Sequence, residues 1–272
     1  FLPPLLFAAL RYDVAAVLLL GYAMLKMDKW WPSGRRDLAA ITGGGLFLIG
    51  GNGLLFIGQQ TVPSGVASIL QALVPIFTAI GAFLVTRQQI SPIETVGILV
   101  GLVGITLIIQ PDPAKLLIGD TGGRLIIMLY AVSLALGSLV VEWADPDLGQ
   151  EGLTAWSMVV GAGVLHVISG GYGESPAQMT ITPIMIGAVV FLAVFATALA
   201  FGIYFRILDQ QGAFEANLVA YLVPPVSILV GVVALDESIN VATISGFLIL
   251  FVGFLLLKWE IVQRTLERQF AL

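Results

Sequence analysis

Apolar runs close to the roughly 20 residues that cross a bilayer as a helix recur along this chain, each closed by a short polar or glycine-containing stretch. They occupy residues 5–25, 38–58, 65–86, 93–109, 124–141, 153–170, 183–205, 214–235 and 241–258, so the pattern predicts nine membrane helices. The runs are continuously apolar, whereas barrel strands alternate over about 10 residues; an all-α polytopic bundle is expected and a β-barrel is not. No separator is long enough to fold as a domain.

Composition narrows the class. Only 11% of the residues are charged and 58% are hydrophobic, against about 25% charged in an average soluble domain, so there are too few charges to clothe a soluble fold of this size. Lipid is the expected solvent. If the 26–37 loop, with Trp30 and Trp31, lies inside, then Lys26, Lys29, Arg35, Arg36, Arg87, Arg206, Lys258, Arg264 and Arg268 all fall inside. Arg11, Lys115 and Arg124 fall outside, a bias of nine to three that places the tail of residues 259–272 in the cytoplasm of a multi-pass plasma (inner) membrane protein.

Several chemistries drop out. There is no Cys and a single His, so neither a thiolate site nor a His cluster can hold a metal, and no cofactor is expected. The net charge of -5 carries no basic run, which excludes nucleic acid as a partner. Without paired His, HExxH or GxSxG, an intramembrane enzyme is not expected either. The partners that remain are the lipid bilayer and a small-molecule substrate, with the chain a monomer or homodimer.

An internal repeat lies at an offset of 149 residues. Val74-Pro75 matches Val223-Pro224, Ala67 matches Ala216, Ile90 matches Ile239, Gly97 matches Gly246, Gly104 matches Gly253 and Leu107 matches Leu256. Ser91-Pro92-Ile93-Glu94 reads as a capping box with proline at the first helical position, and Asn240 takes the place of Ser91. The matched helices are the third and the eighth, five crossings apart, and because five is odd the second copy should cross in the opposite sense. That is the inverted-topology architecture, with a substrate site near the midplane.

These residues resemble a known family. The run Leu2-Pro3-Pro4-Leu5-Leu6-Phe7-Ala8-Ala9-Leu10-Arg11-Tyr12, then Ser64-Gly65-Val66-Ala67-Ser68-Ile69-Leu70 leading to Val74-Pro75-Ile76-Phe77, is similar to an EamA-type member of the drug/metabolite transporter superfamily. Ala198 to Phe205, Leu222-Val223-Pro224, Asp236-Glu237 and the glycines from Gly246 to Gly253 echo it in the second half. The resemblance implies inverted five-helix repeats, ten helices in all, both termini cytoplasmic, and export of small metabolites. It implies a first repeat over residues 1–110 with four helices present and a second over 111–258 with five, followed by the tail. Family members carry Gly-Glu where Arg87-Gln88 stand, so any role of that acid rests on Glu237 alone. The family's first helix precedes the Leu-Pro-Pro run, so the resemblance also implies that this chain, beginning at Phe1, lacks one wall of the cavity.

The candidate site follows from the matched helices. Pro75, Pro224 and Pro225 stand near the middle of their segments, where proline removes a helical hydrogen bond and frees the carbonyls of Gln71 and Tyr221. Ser64, Ser68, Gln71, Pro75 and Thr78 share one helical stripe, and Asn217, Tyr221, Pro224 and Ser227 share another. Two readings stand side by side: the stripes line a cavity, with Gln71 and Asn217 orienting cargo, or the prolines shape the bundle and the polar groups bind helix to helix. Asn52, Tyr204, Trp156 and Tyr130 are further candidates for substrate contact, and Thr197 and Phe201 should face the region of Tyr204.

Charge constrains mechanism. Asp13, Glu94, Arg124 and Glu142 are read as lying near segment ends, Arg11 as snorkelling outward, and His166 as passive at an outer helix end, which leaves no carboxylate at the midplane to couple an ion. A strongly anionic cargo would require several Arg or Lys in the cavity, so neutral, zwitterionic or amphipathic metabolites such as apolar amino acids are expected. Glycine runs at 43–45, 50–51 and 53 weaken their helix by about 1 kcal/mol each, and bending there would serve alternating access. A channel or facilitator for small polar solutes is the alternative, because a polar stripe beside midplane prolines could equally line a pore.

Overall fold

A computed structural model describes residues 3–86, 92–109, 119–221, 223–235 and 240–257. The elements run α1 (Pro4–Lys26), α2 (Arg35–Thr42), a π-helix (Gly43–Ile49), α3 (Asn52–Gly58), α4 (Ser64–Gln71), α5 (Val74–Thr86), α6 (Pro92–Ile109), α7 (Gly119–Ala144) and α8 (Gln150–Gly171). A 3₁₀ turn (Pro176–Gln178) precedes α9 (Pro183–Phe191), a second π-helix (Leu192–Leu199), α10 (Ala200–Gln211), α11 (Ala213–Asn217), a 3₁₀ turn (Leu218–Tyr221), α12 (Val223–Leu235) and α13 (Val241–Leu257). Among the described residues each of the nine expected segments is helical, and six helical stretches are long and apolar enough to cross a membrane. The protein is a polytopic helical membrane protein. Arg87, Gln88, Lys115, Glu237, Lys258, Arg264 and Arg268 lie outside the described residues, as do the side chains of Glu94, Tyr221 and Pro225.

The helices gather into two compact units that cut across the sequence repeats: Phe1–Ile57 with Val132–Val219, and Gly58–Ala131 with Ala220–Leu272. Each therefore takes helices from both halves of the chain.

In the first unit α1 lies against α8. Ala8, Ala9, Ala15 and Ala16 form a small-residue face around Tyr12, packed with Ile49, Met158, Ala162, Leu165, Ala193 and Ala198. Small side chains let the backbones approach, which is where packing energy between membrane helices comes from. The start of α1 is fully accounted for. Pro4 has no N–H, Leu5 and Leu6 donate to the Glu174 carboxylate at 3.2 and 2.7 Å, and Phe7 donates to the Pro3 carbonyl at 2.9 Å. A carboxylate there satisfies orphan donors and complements the helix dipole. Glu174 follows α8, so the start of α1 meets the end of α8, and the pair is antiparallel.

The first π-helix also rests on α8. A Cβ on Gly44 would stand 2.5 Å from Ser157 Oγ, and one on Gly45 would stand 2.5 Å from Val160 Cβ, so only glycine fits this approach. This π-helix takes in the first glycine run and is closed by the Gly50 N–H donating to Gly45 at 2.8 Å.

In the second unit α6 and α13 carry the main contact. A Cβ on Gly104 would lie 2.7 Å from the Gly246 carbonyl oxygen, and one on Gly253 would lie 2.7 Å from the Gly97 carbonyl oxygen. Early residues of one helix meet late residues of the other, so they too cross antiparallel. Arg124 on α7 donates to the Ile108 carbonyl at 2.6 Å, capping the end of α6.

The 149-residue offset carries α1 onto α8, α6 onto α13, and the π-helix at Gly43–Ile49 onto the one at Leu192–Leu199. Backbone irregularities as well as residue matches thus recur at that offset.

Candidate functional site

The matched prolines do not kink continuous helices as expected; each opens a new one. Pro75 is the second residue of α5 and Pro224 the second of α12, first-turn positions whose missing N–H costs the helix nothing. The chain tightens just before each. Ala72 N–H is shared between the Ser68 and Ile69 carbonyls at 3.2 and 3.1 Å, Leu73 donates to Leu70 at 3.2 Å, and the second copy runs as a 3₁₀ turn through Leu218–Tyr221. An interrupted helix inside a membrane needs protein or water around its free carbonyls.

Beside the first break, in the second unit, stand the residues of the predicted stripe. Ser68 is buried and donates to Gly65 at 2.7 Å, while Thr78 is buried and donates to Val74 at 2.8 Å. Gln71 is half-buried, its amide reaching the Ala67 carbonyl only at 3.4 Å. Ser227 Oγ on α12 donates to the Ser64 carbonyl at 3.1 Å, tying α12 to α4.

In the first unit the structure brings Tyr204 and Asn217 together. The Tyr204 hydroxyl donates to Asn217 Oδ1 at 2.7 Å, and Asn217 Nδ2 donates to Ser138 Oγ on α7 at 2.8 Å. Ser138 passes its own proton to the carbonyls of Ala135 and Leu134, at 3.0 and 3.1 Å. Asn217 and Ser138 are buried. Sequence reasoning missed Ser138, one of two serines in an apolar helix, whose only hint is its depth in the span. An aromatic row adjoins the chain of bonds: Tyr12 to Phe201 at 6.1 Å, Phe201 to Tyr204 at 6.2 Å and Tyr204 to Phe205 at 5.9 Å between ring centres. Phe201 thus lies where expected, beside Tyr204, while the buried hydroxyls of Thr197 and Ser157 have no partner among the described residues.

Two other candidates have local duties. Asn52 is buried and donates to the carbonyls of Leu48 and Ile49 at the end of the π-helix, at 2.8 and 3.2 Å. Trp156 donates from its indole to the Trp30 carbonyl at 3.0 Å and meets the Trp31 ring edge-on at 5.0 Å, which anchors the 26–37 loop to α8. Tyr130 is buried.

The reading of the charges needs correction. Asp13 is the tenth of the 23 residues of α1, about 14 Å of helix from its first residue. Its Oδ2 lies 2.8 Å from His166 Nε2 on α8, so a carboxylate does stand well inside a span, and the histidine is not idle at an end but paired with it. Arg11 lays its guanidinium 4.9 Å from the Tyr12 ring centre and 5.7 Å from that of Phe56.

Two hollows open on the first unit. One, of about 360 Å³, runs between Leu19 and Tyr22 of α1 and Val194, Leu199 and Ile203, with the Glu151–Arg206 pair at 3.2 Å at its edge. The other, of about 300 Å³, is lined by Glu142, Asp145, Asp209 and Phe205 beside Gly212. Among the described residues no group of three His, Cys, Asp or Glu could hold a metal ion. Buried amides, hydroxyls and aromatic rings beside broken helices can recognise a polar but uncharged group within an apolar surround.

Comparison with known proteins bears on these features. The sequence profile of the EamA-like transporter family matches residues 1–110 and 121–259. The chain is 32% identical over 235 residues to YedA, an uncharacterized inner membrane transporter of Escherichia coli (strain K12), covering 84% of this chain and 73% of that protein. It is 27% identical over 255 residues to an uncharacterized transporter of Archaeoglobus fulgidus, covering 93% and 88%. A protein of known crystal structure matches with a TM-score of 0.65 over 94% of this chain and 88% of its own, at 18% identity, a likeness of fold.

Proposed function

The chain belongs to the EamA-like transporter family, and on that premise we propose that it exports small neutral, zwitterionic or amphipathic metabolites, apolar amino acids among them, by alternating access. The observation that carries this reading is the antiparallel contact between repeat-equivalent helices, Gly104 against Gly246 and Gly97 against Gly253. Related helices crossing in contrary senses are what an inverted repeat produces, and in that architecture cargo binds near the midplane while the halves rock about it. The antiparallel pairing of α1 with α8 supports the same reading. The paired π-helices and the breaks before Pro75 and Pro224 supply the points at which helices yield.

Cargo class follows from the chemistry of the lining. In the first unit Tyr204 and Asn217 offer a hydroxyl and an amide, groups suited to an uncharged or zwitterionic solute rather than to a phosphate. The basic loops favour a cytoplasmic C-terminus in an inner membrane.

The test is uptake into liposomes holding the purified chain, with a panel of labelled metabolites that includes L-leucine. Saturable flux accelerated by unlabelled L-leucine on the far side is expected of a carrier. Flux proportional to concentration, without counterflow, would instead establish a channel. Alkaline phosphatase fused after Leu272 should be inactive in cells; activity would reverse the orientation.

A further inference from the structure

A charged group inside a span is costly and commonly marks an ion or proton pathway. Asp13 and His166 are such groups: one stands ten residues into α1, the other five before the end of α8, and Nε2 and Oδ2 are 2.8 Å apart. Their side chains are 44% and 40% exposed, so the pair is open on one side rather than sealed in the core.

Charges on the other elements packed against α8 gather near its start, about four turns from His166: Asp37 of α2, beside Arg35 and Arg36, accepts from Asp147 and Leu148, and Arg206 of α10, with Asp209 one turn on, pairs with Glu151. On α1 the nearest charge is Arg11, but residues two apart face different sides of a helix, and Arg11 rests on the rings of Tyr12 and Phe56. Tyr12 is buried, and Tyr22 and Lys26 lie more than two turns away toward the other end of α1. The remaining charge on α8 is Glu151, about four turns from His166 and paired with Arg206. Glu174 is occupied by the N–H groups of Leu5 and Leu6 and by the Ser169 hydroxyl at 2.8 Å. Neither α9 nor the π-helix at Leu192–Leu199, both packed on α1, carries a titratable residue.

An isolated carboxylate and imidazole in a medium of low dielectric are least costly with one proton between them, because that state has no net charge. The pair bridges two helices, so any movement of α1 along α8 parts the groups and opens both to water. We propose that Asp13 and His166 together form a proton-binding site within the membrane, loaded and emptied once per transport cycle. This rests on the carrier reading above and deepens it by naming the coupling ion. On loading, a proton from water bonds to the lone pair of His166 Nε2 and is donated to Asp13 Oδ2, taking the pair from one negative charge to none. Unloading breaks the same N–H bond, and no electrons are exchanged.

The chain has one histidine, so protein labelled with 15N-histidine in lipid nanodiscs reports His166 alone. The ring signal followed against pH should respond differently in wild type and in Asp13→Asn, because only wild type offers the ring a carboxylate partner. Coincident curves would overturn the proton site. In liposomes, a pH gradient imposed without an L-leucine gradient should drive L-leucine accumulation in wild type. The ratio of that accumulation to L-leucine exchange should fall at least about tenfold in Asp13→Asn and in His166→Asn, the loss expected when a positioned proton acceptor is removed. The swap, Asp13→His with His166→Asp, should recover part of it. Equal ratios in wild type and variants would overturn coupling. If no protein moves L-leucine, the cargo reading fails, and the ring titration alone still decides the proton site.

Discussion

Gly104 and Gly246 meet backbone to backbone, a methyl group on either standing 2.7 or 2.8 Å from the carbonyl oxygen of the other. Neither helix can turn aside, because the obstructing atoms are main chain. Gly104→Ala or Gly246→Ala should therefore force α6 and α13 apart, costing about 1–3 kcal/mol as an overpacked contact. The thermal unfolding midpoint in detergent should fall for both. For Gly163→Ala, with no atom within 4 Å, it should hold or rise. An unchanged midpoint in Gly104→Ala would deny the close crossing.

Asn217 joins Tyr204 to Ser138, so its removal breaks both bonds and leaves the Tyr204 hydroxyl without its acceptor, while Ser138 keeps its bonds to Ala135 and Leu134. Asn217→Ala should cost about 1–3 kcal/mol and Tyr204→Phe, which deletes one bond, about 0.5–1.5. The double variant should cost less than the two together, since both act on one network. Additive losses in chemical unfolding would mean that the bonds are independent. If Asn217 also touches cargo, the KM for L-leucine exchange rises in variants whose folding is intact.

Glu174 closes the start of α1 from beyond the end of α8. Glu174→Ala should destabilise by about 1–2 kcal/mol and hasten hydrogen exchange at Leu5 and Leu6, with Glu174→Gln falling between. Equal exchange at those amides in wild type and Glu174→Ala would show that the cap contributes nothing.

Asn52 serves the carbonyls of Leu48 and Ile49 at the end of the first π-helix. Asn52→Leu keeps the volume and removes both donors, at a cost of about 1–3 kcal/mol. Hydrogen exchange should quicken across Gly43–Ile49 and leave Leu192–Leu199 untouched; a uniform change along the chain would point to general loosening.

The spans were legible because the bilayer imposes its thickness on the sequence, and residues 5–25 or 153–170 admit no other reading. That the matched prolines mark backbone events was legible, and both do fall at helix breaks. Their position at a helix start rather than inside one was not, since the same residue suits either place. The π-helix at Leu192–Leu199 has no glycine to announce it and is recognisable only by its offset from Gly43–Ile49. Long-range pairs were the chief loss. Asp13 and His166 are 153 positions apart, and Asn217 and Ser138 are 79 apart, so nothing in local periodicity connects them.

The glycine crossing has the form of a handshake: what one helix offers at its beginning it receives at its end. Two helices of different sequence thus meet through the same device at both ends of their crossing, so that a side chain added at either end would pry the whole contact open.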